Sequence, residues 1–180
     1  MDNTTIKNIF KFIEDEGEHR IPFMWKASNN IPLTEEDLNV NGNLDLRRSN
    51  ITSLPEGLKV WGNLILEYSK ITSLPEELKV EGSLDLSFSK IASLPEELKV
   101  GGSLHLDFTK ITSLPEGLYV GRNLYLIMCK NLKSLSKGLK VGGDLNIRAA
   151  ELMRYSNEKL MKMIDPNGDG EGYIKGRIIR

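Results

Sequence analysis

The sequence predicts a repeat solenoid built mainly of β-structure. Three observations predict it: a 20-residue period, a two-residue apolar alternation within each unit, and proline and glycine at fixed corners. Cutting before each valine gives units 40–59, 60–79, 80–99 and 100–119, which share V-x-G-x-L-x-L-x-x-[ST]-x-I-x-S-L-P-E-x-L-x. A fifth unit, 120–140, carries one extra residue between Cys129 and Leu135, with Arg122 in the Gly place and Ser136 in the Pro place. A sixth starts at Val141, keeps Gly143, Leu145 and Ile147, and then departs from the pattern.

The elements follow in chain order. Thr4 or Thr5 opens a helix with Ile6, Ile9, Phe10 and Ile13 on one face, stopping at Gly17. Its apolar side serves as a cap, which the first coil of a solenoid requires. Ile31-Pro32 through Leu38 and Val40 reads as a degenerate repeat, so residues 1–39 form an N-terminal cap and link. In each unit of the 40–155 array, Leu64-x-Leu66 and its equivalents read as a strand with leucines inward. Pro55, Pro75, Pro95 and Pro115 bend the chain at one corner, and Gly42, Gly62, Gly82 and Gly102 open the opposite one. A 20-residue unit leaves no room for a long helix, and six apolar side chains per unit are buried only by stacking. Residues 156–180 form a C-terminal cap. Ser156 caps a helix with Leu160, Met163 and Ile164 inward, followed by a turn-rich stretch, 165–172, and a strand-like 173–179.

The run L-x-L-x-x-[ST]-x-I-x-x-L-P resembles the leucine-rich repeat in its short bacterial form, over about Val40 to Tyr155. The resemblance implies a right-handed coil with a parallel sheet on the concave face, extended or 3₁₀ backbone on the convex side, and short helical caps. The family's asparagine ladder bonds backbone groups at a tight bend. Here that place holds Ser49, Ser69, Ser89, Thr109 and Cys129, whose hydroxyls do the same less completely. Similar V-G-G-x-L-x-L repeats in phage and bacterial proteins point to such an origin.

Composition excludes several classes. With 24 basic against 25 acidic residues the net charge is −1, so no global field draws the chain to nucleic acid or an anionic membrane. A single cysteine forms no intramolecular disulfide, no signal peptide opens the chain, and no apolar run reaches a membrane span, which together predict a cytoplasmic protein. His19 and His105 are the only histidines, and neither has a nucleophile at a recognisable spacing, so no enzyme and no cofactor are expected.

Binding surfaces remain. The outward sheet face presents Asp45, Ile65, Asp85, His105 and Tyr125, with Arg47, Glu67, Ser87, Asp107 and Ile127 beside them. These vary while the frame stays constant, as recognition positions do and as solvated filler also would. Next to them runs a stripe of Arg48, Tyr68, Phe88, Phe108 and Met128. Strands ~4.8 Å apart stack such rings into an apolar ribbon, the usual mark of an interface. A lysine column, Lys70, Lys90, Lys110 and Lys130, is answered in step by Glu56, Glu76, Glu96 and Glu116, which favours solubility over nucleic-acid binding. Asp165-Pro-Asn-Gly-Asp169-Gly opens like an EF-hand calcium loop, but Gly172 and Gly176 stand where the aliphatic residue and the bidentate acid belong, so no metal site is assigned. The expectation is a non-catalytic protein-binding module, an inhibitor of a host protein if the phage resemblance holds. The alternative is a self-associating structural solenoid or homodimer.

Overall fold

The computed structural model describes Lys26 and residues 32–180; the helix expected between Thr4 and Gly17, and Ile31 of the degenerate repeat, lie outside the described residues. Two units divide the chain, Met1–Leu38 and Asn39–Arg180. In the first, the short helix α1 (Glu35–Leu38) begins at a reciprocal cap. The Thr34 hydroxyl accepts the Asp37 N–H at 3.3 Å and the Asp37 carboxylate accepts the Thr34 N–H at 2.9 Å, satisfying donors that a helix start leaves free. Lys26 Nζ holds the same carboxylate at 2.9 Å.

The second unit is a parallel β-solenoid. Each coil supplies two dipeptide strands, so two seven-stranded parallel sheets run along the stack. Sheet 1 contains the dipeptides that end on the repeat's valine, such as Lys59–Val60 and Lys79–Val80. Sheet 2 contains those that open on its first leucine, such as Leu64–Ile65 and Leu84–Asp85. The leucine alternation predicts only the second of these. Sheet 1 forms because a constant period sets every extended segment beside its own copy, Val60 against Val80 and Val80 against Val100. Lysine outward and valine inward is the same alternation in its shortest form.

Inward columns make the core. In the third coil Leu84, Leu86 and Ile91 have no exposed surface, and Val80, Leu94 and Leu98 are buried. Asp85, expected to be exposed, is half-buried, because Ile65 and His105 on the adjoining coils flank it. Coil-to-coil approach sets the glycine corner. A Cβ on Gly82 would lie 2.4 Å from the Gly62 carbonyl oxygen, so this coil requires glycine. The fifth coil takes Arg122 there and keeps the inter-coil bond, Arg122 N–H to the Gly102 carbonyl at 3.0 Å. The proline corner survives without proline: Leu98 N–H reaches the Pro95 carbonyl at 3.3 Å, and Leu139 N–H reaches Ser136 at 3.4 Å. The fifth coil takes up its extra residue in a turn at Lys130 and Asn131, which returns Leu132 to the buried place of Ile111.

A ladder of short polar side chains stitches the coils, one residue before the first leucine. Asn43 Oδ1 accepts the Asn63 N–H at 2.8 Å, Asn63 Oδ1 the Ser83 N–H at 2.7 Å, and Ser83 Oγ the Ser103 N–H at 3.0 Å. Ser103, Asn123 and Asp144 continue it to Arg177 N–H. The column expected to hold a ladder behaves differently. Ser69 and Ser89 accept from Ile71 and Ile91 N–H at 3.5 and 3.4 Å, within their own coils, while Thr109 donates to the Leu106 carbonyl at 2.6 Å.

After the sixth coil come a 3₁₀ turn (Glu151–Arg154) and helix α2 (Asn157–Ile164). Ser156 Oγ accepts the Lys159 N–H at 3.1 Å, and Leu160 and Ile164 are buried while Met163 is half-buried. The chain then rejoins the stack. Tyr173–Ile174 pairs with Lys140–Val141, and Ile178–Ile179 pairs with Leu145–Asn146. Ile174, Gly176 and Ile178 occupy the Val, Gly and Leu places of the repeat, so the strand-like tail is a further rung of both sheets.

Candidate functional site

Each coil leaves sheet 2 through a four-residue turn closed by one hydrogen bond, Ser69 N–H to the Leu66 carbonyl at 3.1 Å, Ser89 to Leu86 at 3.1 Å, Thr109 to Leu106 at 3.2 Å. The third turn residue adopts positive φ every time: Arg48 55°, Tyr68 55°, Phe88 57°, Phe108 57° and Met128 61°. Glycine or asparagine is the usual occupant of that region, where a Cβ costs ~1–2 kcal/mol. The amide at this place stays in the inter-coil ladder, Tyr68 to the Ser87 carbonyl at 3.0 Å and Phe88 to Asp107 at 2.9 Å. Backbone bonding therefore fixes the side chains in register.

The rings respond by stacking. Tyr68 and Phe88 lie 4.5 Å apart at 12°, and Phe88 and Phe108 lie 4.5 Å apart at 11°. The Arg48 guanidinium sits over the outer face of Tyr68, 5.7 Å from its centroid, and Met128 continues the column, half-buried. Ring faces are consumed by neighbours and ring edges face solvent: Tyr68, Phe88 and Phe108 remain 47%, 38% and 46% exposed. This is the ribbon expected from the sequence, presented edge-on.

The outward face of sheet 2 adjoins it. Asp45 is exposed and ion-paired with Arg47, whose Nε donates at 3.0 Å and holds the carboxyl below its ordinary range. Ile65, Asp85, His105 and Tyr125 are half-buried, with the His105 and Tyr125 rings stacked at 4.3 Å. The acids on this face serve the backbone: Asp85 Oδ1 accepts the Ser87 N–H at 2.9 Å and Asp107 Oδ1 the Ile127 N–H at 2.7 Å. Burial pushes the Asp107 carboxyl up, and the Ile127 amide only partly opposes that. Lys70, Lys90, Lys110 and Lys130 stand exposed two residues beyond the ribbon.

Chemistry elsewhere is sparse. Asp165 gives both carboxylate oxygens to its own loop, accepting the Asp169 and Gly170 N–H groups at 3.1 Å each. Among the described residues no group of three or more His, Cys, Asp or Glu is placed to hold a metal ion, and no helix is long and apolar enough to cross a membrane. Cys129 is fully buried, and burial pushes its thiol up to about 11.

Sheet 1 carries two exposed aromatic residues that the repeat reading does not single out, Trp61 at 58% and Tyr119 at 38%. Their signal is a break in the frame: Tyr119 replaces the lysine before the valine, and Trp61 stands where later coils have glutamate or glycine.

No protein-family model, curated protein or solved structure matches the chain. The class defined by the fold and its surfaces is a parallel β-solenoid repeat protein.

Proposed function

We propose that the chain is a non-catalytic protein-binding module of the leucine-rich-repeat kind, with Arg48, Tyr68, Phe88, Phe108 and Met128 as its anchor. Asp45, Ile65, Asp85, His105 and Tyr125 are flanking contacts. One observation carries the reading: three bulky rings occupy backbone that favours glycine, and their edges stay exposed. An exposed apolar patch with a charged border has the anatomy of a protein interface. Edge-on presentation favours an apolar protein surface, since no ring face inside the stack is open to a base or a sugar. A rigid frame limits the entropy lost on binding. The partner is a cellular protein in the cytoplasm, and a phage or bacterial origin makes it a host factor. Neither nucleic acid nor membrane is engaged.

The test uses a partner captured from the native host. Alanine is a poor probe here, because each ring also supports its neighbours. Phe88→Tyr, Phe108→Tyr keeps the stack and adds hydroxyls to the rings. Stability stays within about 0.5 kcal/mol, as for other surface changes. Affinity falls at least tenfold, since an unpaired hydroxyl desolvated at an interface costs ~1–3 kcal/mol. Unchanged affinity removes the ribbon and leaves the sheet columns as the contact surface. The same exposed ribbon suits a second copy of the chain, which is the self-association reading. Light scattering separates a monomer from a dimer.

A further inference from the structure

The outward face of sheet 1 is hollowed. Two adjoining hollows of about 810 and 250 Å³ share Lys59, Lys79 and Glu81. The floor is bare backbone at Gly101, where a Cβ would lie 2.2 Å from the Glu81 carbonyl oxygen and has no room. Trp61 borders one end and Tyr119 the other, three coils apart. At ~4.8 Å per coil that is about 14 Å along the stack.

These aromatics differ from the ribbon in one respect. Among the described residues neither Trp61 nor Tyr119 stacks on another ring or lies under a cation. Neither ring face is taken by another ring, and Lys99 and Lys140 flank Tyr119 in the sheet. The groove's charges are also uncommitted: among the described residues no ion pair holds Lys59, Lys79 or Lys99, nor Glu76, Glu77, Glu81 or Glu97. Three ammonium groups against four carboxylates nearly cancel, so neither a polyanion nor a polycation gains a strong net attraction. A neutral ligand rich in hydroxyls finds donors and acceptors interleaved along its length. A ring without an aromatic neighbour can take the apolar C–H face of a sugar ring, and the glycine on the floor lets the sugar approach the backbone. A groove open along three coils suits a chain rather than a single small molecule.

We propose that this face of sheet 1 binds a neutral linear oligosaccharide, with Trp61 and Tyr119 as stacking platforms and the lysine and glutamate side chains as partners for its hydroxyls. The site is separate from the ribbon and does not depend on the ribbon's role.

Trp25 and Trp61 are the only tryptophans, so Trp25→Phe leaves Trp61 as a reporter inside the groove. The probes are neutral hexaoses of the cellulose, chitin, xylan, mannan and starch types, with a galacturonan hexaose and a chitosan hexaose as charged controls. At least one neutral hexaose produces a saturable blue shift of Trp61 emission, and calorimetry on the unsubstituted chain repeats the titration. Tyr119→Ala weakens that binding at least tenfold, the charged controls bind at least tenfold more weakly, and Phe88→Tyr, Phe108→Tyr leaves it unchanged. The proposal is overturned by no saturable response to any neutral hexaose, by full affinity in the Tyr119→Ala chain, or by charged controls that bind equally well.

Discussion

Replacing Phe88 once by glycine and once by alanine separates two energies that the ribbon combines. Both changes remove the ring and its two stacking contacts at 4.5 Å, worth ~0.5–1.5 kcal/mol each. Both also expose what the ring covers, a shared loss of roughly 2–3 kcal/mol before the backbone is considered. They differ in what remains. Alanine keeps a Cβ at φ 57°, and that conformation costs ~1–2 kcal/mol. Glycine removes the strain but gives the unfolded chain extra freedom, which costs ~0.5–1 kcal/mol. The balance leaves glycine the more stable variant by about 0.5–1 kcal/mol, the reverse of the order at an ordinary strand position. Urea unfolding followed by far-ultraviolet circular dichroism reads the difference, provided both variants keep the same dependence on denaturant. An alanine variant as stable as the glycine variant, or more stable, refutes the reasoning. The turn would then hold no strain, and the step from strained rings to a binding anchor would lose its support.

Two further outcomes follow from the interior. The Cys129 thiol is raised by burial from 9.0 to about 11, so the folded chain keeps a proton that the unfolded chain releases. Stability therefore declines as pH rises from about 9 to about 11, by roughly 2–3 kcal/mol, and Cys129→Ala flattens that part of the curve; parallel curves for the two proteins would show that the thiol is not the cause. Asn63→Ala leaves the Ser83 N–H without the acceptor it meets at 2.7 Å and costs ~1 kcal/mol or more in urea unfolding, whereas Asn63→Asp keeps an acceptor and loses less; equal losses in the two variants would mean that the ladder adds nothing.

What the sequence made legible follows from how strongly each position is constrained. The inward leucines and the stripe of Tyr68, Phe88 and Phe108 repeat once per coil, and periodicity alone brings them together. Sheet 1 is harder to read, because one inward valine between two outward residues carries little alternation. The polar ladder is written as Asn43, Asn63, Ser83, Ser103, Asn123 and Asp144. Those residues share no side-chain shape, only a short acceptor, so a search for one recurring residue passes over them. The last rung is obscured differently. Helix α2 and the loop after it put Ile174 33 residues after Val141 instead of 20, which hides the V-x-G-x-L frame within I-K-G-R-I. Positive φ at the ribbon is not legible at all, since Tyr and Phe are the residues least expected there.

The two aromatic surfaces show how one frame produces two chemistries. A column filled with rings on consecutive coils must stack, because the coil spacing is close to the 4.5 Å at which Tyr68, Phe88 and Phe108 meet. Stacking uses up the ring faces, and only edges remain for a partner, which favours an apolar protein surface. In the outward column of sheet 1, Tyr119 follows Lys59, Lys79 and Lys99, and Lys140 separates it from Tyr173, so it has no adjacent ring to stack on. No ring takes its face, and Lys99 and Lys140 beside it supply hydrogen-bond donors instead. The backbone bonding is nearly the same in both sheets, so recognition here is decided by the succession of side chains along a column rather than by the local fold. The ribbon and the groove are therefore separable: a change that keeps the inward leucines and the glycine corners can alter one without disturbing the other.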